Sequence, residues 1–503
     1  MKRYLVLPLA IGSLAVHHSS RLDAQSTACT VAAVQAKAPA GTTITGAEMV
    51  AAAGRVPAHC RVDGHATSSD NEVNFRLALP EGWNGKFLFL GVGGLGGTIA
   101  NLSSGLMRGY ASASTDTGHV ASDPNWWSNR AKEIDYGYRG THVTAVASKA
   151  LTASFYGKPP QHAYFNGCSN GGRQAMMEVQ RYPEDFDGVI AGHPATGTTM
   201  QVGRAIVYQH MLASSDNFLT DEAIEQLSTA TLAACDKSDG LQDGLITDPR
   251  ACTFDVDTLT SLTPGQRATI KKVYAGLRTK DGKTYAHGFP VGHEGGATGW
   301  RAWISGANAP VKQADGSLVY GPERRPAGFG LMDPNFRFLA LDQDDANFTW
   351  QTFNFDRDLP RLKTMTEILT PGDTDLRAFK KHGGKLIMYH GWADPGISAA
   401  GTVDYYEQMV RKVGGQQDAD AFARLYMIPG MHHCSGGVGT SSFDMLEVLE
   451  QWVEKAVPPA SVAASRIVDD KVVRTRPLCP HPAVARYKGT GSVDDAASFT
   501  CTK

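Results

Sequence analysis

Charge is scarce in this 503-residue sequence. Asp, Glu, Lys and Arg make up 19% of it, against roughly 25% in an average globular protein. The 48 Lys and Arg residues nearly cancel the 50 Asp and Glu residues, and no block of like charge is long enough to attract a polyanion. The composition therefore argues against nucleic acid as a partner.

Long apolar runs are missing beyond the first residues. No later run approaches the roughly 20 apolar residues of a membrane span, so we expect no membrane partner. The opening "MKRYLVLPLAIGSLAV" joins a basic start to an apolar run, which is typical of a secretory signal peptide. We expect a signal peptide over 1–24, cut after Ala24, and a mature protein that is secreted or periplasmic. The alternative is a buried N-terminal helix.

Eight cysteines, an even number, would be oxidised to disulfides in such a compartment. Cys168 and Cys434 lie far apart in the chain. The other six suggest three pairs of near neighbours in sequence: Cys29–Cys60, Cys235–Cys252 and Cys479–Cys501. Because eight cysteines allow many connectivities, the sequence alone leaves the pairing open.

Repeats and low-complexity tracts are absent from the sequence, in which apolar, strand-like runs alternate with helical patterns. This alternation indicates a mostly parallel sheet flanked by helices. Residues 196–382 break the alternation and are rich in Trp, Gly and Asp. Since the chain exceeds the roughly 300 residues of a single core, we interpret 196–382 as an inserted lid domain. It divides one core domain into a first part, 25–195, and a second part, 383–503.

A Gly-x-Ser-x-Gly pentapeptide centres on Ser169. With 54 glycines in the chain such a match is weak by itself, but this one lies between a predicted strand, "HAYFNG", and a predicted helix, "GGRQAMMEVQRY". A serine on such a sharp turn exposes its Oγ above the sheet, as in the nucleophile elbow of α/β-hydrolases. Ser169 is therefore the candidate nucleophile, and a structural serine is the alternative.

A serine nucleophile needs a histidine as its base and a carboxylate that orients the histidine, here in the chain order Ser, Asp, His. Asp394 follows the strand predicted over 384–391, and His433 follows the next predicted strand. Parallel sheets place their chemistry at such strand ends. The alternatives are an Asp-Pro turn for Asp394, and for His433 a loop histidine or a metal ligand together with His432.

A glycine run, "GVGGLGG" over 91–97, follows an early strand. Gly93 or Gly94 could supply a backbone N–H to a developing oxyanion, beside the N–H of Asn170. A flexible turn is the alternative. The run fits the Gly-x-Gly-x-x-Gly spacing of a dinucleotide loop poorly, and we expect no organic cofactor.

An acidic cluster occurs in "CDKSDGLQDGLITDP". The carboxylates of Asp236, Asp239 and Asp243 and the backbone carbonyls of Leu241 and Leu245 could form an all-oxygen shell, which suits calcium. The cluster departs from the EF-hand pattern because no glutamate stands at the twelfth position. The alternative is a solvated acidic loop.

Six motifs occur in one order over nearly the whole mature chain: "WNGKF", "GCSNGGR", "RYPEDFDGVIAG", "CDKSDGLQDGLI", "HGWAD" and "GMHHC". In these motifs the sequence resembles the tannase and feruloyl esterase family of α/β-hydrolases, which also contains mono(hydroxyethyl) terephthalate hydrolases. The resemblance implies an α/β-hydrolase fold, a Cys168–Cys434 disulfide, and a lid with a structural calcium at the five residues of the acidic cluster.

The same resemblance implies a small aromatic ester as substrate, bound under an aromatic-rich lid. The lid aromatics are Trp300, Trp303, Phe336, Phe338, Phe348 and Trp350. We expect most of them in the core of the lid rather than against substrate. His390 is a candidate for lining the substrate pocket, and a strand-end histidine without that role is the alternative.

We therefore expect a secreted serine carboxylesterase that hydrolyses esters of aromatic, feruloyl-type acids through an acyl-enzyme. Within enzymes the alternatives are a tannase, which cleaves galloyl esters, and a terephthalate-monoester hydrolase. From another class, the alternative is an inactive hydrolase scaffold that binds phenolics.

Overall fold

The computed structural model describes residues 28–321, 325–345 and 347–503. The signal peptide predicted over 1–24 lies outside these residues. In the described part of the chain, nine strands form one central sheet. In chain order they are β1 (Thr42–Val50), β2 (His59–Ser68), β3 (Asn71–Pro80), β4 (Lys86–Leu90), β5 (Ala111–Thr115), β6 (His162–Cys168), β7 (Gly188–Gly192), β8 (Lys385–Gly391) and β9 (Ala423–Ile428).

The spatial order of the strands is β1-β2-β3-β5-β4-β6-β7-β8-β9. From β5 across to β9 all neighbours run parallel, whereas β1, β2 and β3 pair antiparallel. The mostly parallel sheet agrees with the alternation of the sequence, but β1 and β2 were not expected from it. Because parallel strands point the same way, the loops after β6, β7, β8 and β9 meet at one edge of the sheet.

Helices cover both faces of the sheet and fill the insertion. In the described residues, those of eight residues or more are α1 (Gly140–Tyr156), α2 (Asn170–Arg181), α3 (Thr198–Met211), α4 (Asp221–Cys235), α5 (Pro264–Ala275), α6 (Ala327–Pro334), α7 (Ala399–Val413) and α8 (Met445–Lys455). The shorter ones are Val31–Gln35, Ser103–Leu106, Arg130–Ile134, Phe355–Asp358, Lys363–Leu369, Arg377–His382 and Gln416–Asp420. Small hairpins pair Leu277–Arg278 with Thr284–Ala286, Val311–Lys312 with Leu318–Val319, Val462–Val468 with Lys471–Leu478, and Val484–Tyr487 with Phe499–Thr502.

The two faces of the sheet build two separate hydrophobic clusters. Along β4, Phe87 and Phe89 enter one cluster and Leu88 and Leu90 the other, as the two-residue period of a strand requires. Helices α1, α2 and α7 cover the first face, and α8 covers the second. Both faces are thus buried, which is the usual arrangement for a parallel sheet.

Helix α1 shows where the sequence pattern was misleading. The sequence of 141–157 predicts a helix from the spacing of its apolar residues Val143, Val146 and Leu151, and the bounds of α1 lie within one residue of that range. Val146, however, is 45% exposed. The helix packs instead through small side chains such as Thr144, Ala145 and Ser148, each 0% exposed. Small residues allow the helix to approach the sheet closely. Because two of these three buried residues are polar, the periodicity of apolar residues does not predict which face of the helix packs against the sheet.

The described residues between β7 and β8 add no strand to the central sheet. They build a third hydrophobic cluster whose buried members all lie between Val202 and Leu362. Four lid aromatics are buried in this cluster: Trp300, Phe336, Phe348 and Trp350. Trp303 is only partly buried against it, and Phe338 is 38% exposed and stacks on Trp127 at 4.4 Å between ring centroids.

All eight cysteines lie among the described residues, and each is in a disulfide. The pairs are Cys29–Cys60, Cys168–Cys434, Cys235–Cys252 and Cys479–Cys501. Four disulfides are consistent with a protein that resides in an oxidising compartment. As for membranes, the described residues contain no helix with the length and apolar character needed to span one.

Candidate active site

The turn after β6 holds Ser169 in a strained backbone conformation, with φ 65° and ψ −124°. A positive φ is costly for a residue with a side chain and persists only where the surroundings enforce it. Two backbone hydrogen bonds hold it here: the Ser169 N–H donates to the carbonyl of Gly192, at the end of β7, at 3.0 Å, and the Ser169 carbonyl accepts the Arg173 N–H at 3.0 Å. The turn is so tight that a side chain on Gly167 would lie 2.4 Å from the Gly171 carbonyl. Helix α2 begins at the next residue, so Ser169 stands at its positive end.

Asp394 and His433 meet at the same edge of the sheet. The His433 Nδ1–H donates to Asp394 Oδ2 at 2.9 Å, and the ring of His433 packs against Trp303 at 4.4 Å. The neighbouring His432 points elsewhere, with hydrogen bonds to Thr298 and to the carbonyl of His293. Of the two adjacent histidines, only His433 is therefore oriented by the carboxylate.

Asp394 also accepts hydrogen bonds from two further histidines. His193 Nδ1 lies 2.6 Å and His390 Nε2 3.0 Å from the same oxygen, Oδ2. Oδ1 accepts the backbone N–H groups of Gly396 and Ile397 at 2.7 and 3.0 Å. Although burial by itself opposes ionisation, the electrostatic attraction of His433 and the hydrogen bonds from His193, His390 and His433 hold the pKa of Asp394 well below its usual range. The carboxylate is thus kept negative and fixed in position.

The structure places His390, the proposed pocket residue, behind Asp394. The side chain is fully buried; its Nδ1 accepts from Thr402 at 2.8 Å and its Nε2 also reaches the Ile397 carbonyl at 3.1 Å. These contacts brace the Asp394 loop.

His193 was not identified from the sequence. It follows β7 in "VIAGHPA", and a histidine at the carboxyl end of the strand beside the nucleophile's strand is the signal that could have found it. Its backbone has a positive φ of 42°, and its N–H donates to the Tyr389 carbonyl at 2.8 Å. Burial, followed by the nearby His390, lowers the pKa of its side chain to about 3.

This depressed pKa predicts an acid-dependent difference between the wild type and His193→Asn, whose amide N–H can still donate to Asp394. Below the unfolded pKa of about 6.5 the unfolded wild type binds a proton that the folded wild type refuses, so stability falls on acidification. The groups facing His193 are Asp394, His390, His433 and the phenol of Tyr389, and they remain in the variant. Between pH 7 and pH 5 the wild type should lose on the order of 1–2 kcal/mol more than the variant. Urea unfolding at both pH values measures this, and equal losses would contradict the buried neutral state.

Two of the proposed oxyanion donors belong to residues that line the cavity next to Ser169. Gly94 and Asn170 both line the cavity that contains Ser169, whereas Gly93 is not among its lining residues. The N–H groups of Gly94 and Asn170 have no acceptor in the described part of the chain. Gly94 has a φ of 61°, which a glycine adopts readily. Two unpaired donors near a nucleophile are what an oxyanion requires.

Three π-helical turns contribute to this cavity. They span Asp135–Arg139, Arg301–Ser305 and Asn335–Leu339 and supply Tyr136, Trp303 and Asn335 to its wall. Single π turns occur frequently at functional sites. A second, larger cavity of about 550 Å³ lies next to it, lined by α3, α5 and α7. Met200, Arg204 and Trp303 belong to both linings, so these side chains separate the two spaces.

The acidic cluster forms a loop after α4. Asp236 is buried, and its carboxylate accepts the N–H groups of Asp243 and Gly244 at 3.3 and 3.1 Å. The carboxylate of Asp243 is paired with Arg476. In the described residues, two groups of His, Cys, Asp or Glu side chains bring three potential metal-ligand atoms within 4.8 Å of one another, and neither group lies in this loop. The groups are His193, His390 and Asp394, and His142, Glu178 and Asp185. The donor types of the loop suit calcium, although its carboxylates are turned toward their own loop and Arg476.

The sequence is similar to known esterases over most of its length. The family model described as "Tannase and feruloyl esterase" matches residues 60–502. A mono(2-hydroxyethyl) terephthalate hydrolase of Piscinibacter sakaiensis is 33% identical, over 90% of this chain and 86% of that protein. A probable feruloyl esterase of Arthroderma benhamiae is 32% identical, over 86% of this chain and 82% of that protein.

Solved structures agree with these similarities. Feruloyl esterase B from Aspergillus oryzae superposes with a TM-score of 0.82 at 25% identity, covering 95% of this chain and 100% of that one. Tannin acyl hydrolase from Aspergillus niger superposes with a TM-score of 0.71 at 21% identity, covering 94% and 95%. The second likeness concerns the fold alone.

Proposed function

The chain belongs to the tannase and feruloyl esterase family and is a carboxylic ester hydrolase; on that premise we propose that it cleaves esters of aromatic, feruloyl-type acids with Ser169 as nucleophile. The observation that carries the proposal is the Asp394–His433 pair, joined at 2.9 Å, at the sheet edge where Ser169 stands on its strained turn. The similarity to feruloyl esterases supports the substrate class.

In this proposal His433 takes the proton of the Ser169 hydroxyl as the oxygen attacks the ester carbonyl. Asp394 holds the histidine in the tautomer that leaves Nε2 free. The N–H groups of Asn170 and Gly94 stabilise the oxyanion, helped by the positive end of α2. His433 then protonates the departing alcohol, and a water activated by the same histidine releases the acid from Ser169.

Turnover of three esters tests the substrate class: methyl ferulate, methyl gallate and mono(2-hydroxyethyl) terephthalate. We expect methyl ferulate to give the highest kcat/KM. A strong preference for methyl gallate would make the protein a tannase, and a preference for the third ester would make it a terephthalate-monoester hydrolase, the activity named for a relative at 33% identity. An inactive scaffold that binds phenolics predicts no turnover of these esters or of p-nitrophenyl acetate.

We further propose that residues 196–382 act as a lid over Ser169, with the core in 25–195 and 383–503. The separate hydrophobic cluster between Val202 and Leu362 supports an independently packed unit. Export to the periplasm or the medium, after removal of 1–24, is supported by the four disulfides. N-terminal sequencing of the exported protein tests the cleavage after Ala24.

A structural calcium in the acidic loop is also part of the proposal. The carboxylates of Asp236, Asp239 and Asp243 and the carbonyls of Leu241 and Leu245 would hold it, and the ion would stabilise the lid without taking part in the ester chemistry. The density of hard oxygen donors in ten residues supports this assignment.

Removal of calcium should lower the melting temperature of the protein. An ion that binds only the folded state stabilises it by about 3 kcal/mol at a free concentration 100-fold above its Kd. Elemental analysis should find one calcium per chain, and Asp239→Asn should lose both the ion and the response to EGTA. The matched control is Asp281→Asn, on an exposed turn of the lid, which should keep both. A protein without bound calcium, indifferent to EGTA, would contradict the site.

A further inference from the structure

Helix α2, which begins directly after Ser169, carries a buried carboxyl group without a partner. Glu178 is 1% exposed, and both of its side-chain oxygens lack a hydrogen bond from any described residue. A buried carboxylate without donors or a counter-charge destabilises a fold strongly. The groups next to Glu178 therefore indicate what compensates it.

Two other potential metal ligands converge on Glu178. His142 comes from α1, and Asp185 comes from the loop between α2 and β7. One ring nitrogen of His142 and one carboxylate oxygen each of Glu178 and Asp185 lie within 4.8 Å of one another, so the unpartnered carboxyl group faces the other two side chains. The ring of His142 stacks on Tyr182 at 3.7 Å between centroids, and its Nδ1 lies 2.6 Å from Asp185 Oδ2. The histidine is thus already oriented toward the carboxylates.

The described groups of this cluster leave one carboxyl group without a cation. The ammonium of Lys149 donates to the backbone carbonyl of Asp185 at 2.6 Å and to Asp185 Oδ1 at 3.3 Å, whereas it makes no hydrogen bond to Glu178. Burial, followed by the charge of Asp185, raises the pKa of Glu178 well above its usual range. Lys149 therefore compensates Asp185, and Glu178 lacks a positive partner of its own.

The cluster is reached from solvent at one end. The side chain of His142 is 30% exposed and that of Asp185 is 11% exposed, whereas Glu178 forms the closed end. A small ion can therefore enter past His142 without crossing the hydrophobic core.

We propose that His142, Glu178 and Asp185 bind a divalent transition-metal ion of the zinc class, with water as the fourth ligand. Imidazole nitrogen and carboxylate oxygen are both zinc ligands, whereas calcium takes oxygen ligands. Ligand atoms about 2 Å from a tetrahedral ion lie about 3.3 Å apart, so the three side chains need only small shifts and the contact between His142 and Asp185 widens. The ion joins α1 to the end of α2, and it stabilises the helix behind Ser169 without touching substrate.

Zinc titration of the whole protein, with its disulfides intact, tests the site. The protein is first treated with ortho-phenanthroline, which binds zinc and leaves calcium in place, and is then freed of the chelator. It should take up one zinc ion per chain, and its melting temperature should rise by about 3 °C when free zinc is 100-fold above its Kd. A protein that takes up no zinc and melts at an unchanged temperature would overturn the inference, and would leave Glu178 as a protonated carboxyl group beside Asp185.

The variant Glu178→Gln links the zinc to the cluster. Glutamine keeps the size of the side chain and removes its charge, so the affinity for zinc should fall at least 100-fold, since losing even a hydrogen-bond partner of a ligand costs about 10–100-fold. The matched control is Glu184→Gln, an exposed residue of the following loop, which should keep the wild-type affinity. Zinc bound equally tightly by Glu178→Gln would overturn the assignment. If that variant does not fold, His142→Gln, at the exposed end of the cluster, gives the same comparison.

A last comparison separates this site from the proposed calcium site. Asp239→Asn should bind zinc with the wild-type affinity, and Glu178→Gln should keep its calcium. Loss of zinc binding in Asp239→Asn would place the zinc in the acidic loop and overturn the inference.

Discussion

Replacement of Ser169 by alanine should lower kcat about 10⁶-fold, because removing the nucleophile of a comparable triad costs about that factor. The residual rate would come from the oxyanion donors and substrate binding alone. The fold should survive, since the contacts that hold the turn, from the Ser169 N–H to Gly192 and from the Arg173 N–H to the Ser169 carbonyl, are made by the backbone. Kinetics on methyl ferulate and thermal unfolding measure the two effects.

A matched serine makes this result specific. Ser435 lies two residues after His433, is exposed and has no part in the proposed reaction, so Ser435→Ala should keep kcat within a few-fold of the wild type. A Ser169→Ala protein with more than a few per cent of the wild-type activity would move the nucleophile to another residue.

Removal of the Cys168–Cys434 disulfide should lower kcat by about 100-fold. The bond joins the residue before Ser169 to the residue after His433, with 6.1 Å between the two Cα atoms. It therefore fixes the distance between nucleophile and base, and a displacement of about 1 Å in such a site can cost that factor. The bond also closes a loop of 266 residues, worth roughly 5 kcal/mol in the chain-entropy model.

The double variant Cys479→Ala with Cys501→Ala is the control, since that bond closes only 22 residues near the C-terminus. It should lose stability and keep the wild-type kcat when assayed well below its melting temperature. Equal losses of kcat in the two double variants, or an unchanged kcat without Cys168 and Cys434, would show that the active-site bond does not position the chemistry.

The predicted α/β-hydrolase fold is confirmed. It could be predicted because its central strands appear in the sequence as short, continuous apolar runs. Ser169, Asp394 and His433 each follow a strand that the apolar runs predicted, and parallel strands bring such positions to one edge. Antiparallel β1 and β2 were missed because several of their buried positions hold polar residues, such as Thr42, His59 and Ser68, so burial alternates along the strands without a matching alternation of apolar residues. Their pairing depends on contacts that no local pattern reports.

The lid side of the site could not be predicted in the same way. Arg204 and Asn335 are 131 residues apart in sequence, and neither belongs to a motif; they share a wall only because α3 and the turn after α6 pack together in the lid. His193 could be predicted only in part. The sequence places it directly after β7, but its hydrogen bond to Asp394 depends on the position of the loop after β8. Residues that act through long-range packing require the structure.

The most direct measurement for the account is the mass of the peptide that contains Ser169 after acid quenching of the protein during turnover of p-nitrophenyl ferulate. We expect a mass increase equal to the acyl group on Ser169, at a level that falls once the substrate is exhausted, and no such increase in Ser169→Ala. An acyl group found on a different residue, or on the same peptide of Ser169→Ala, would contradict the assignment of Ser169 as the nucleophile.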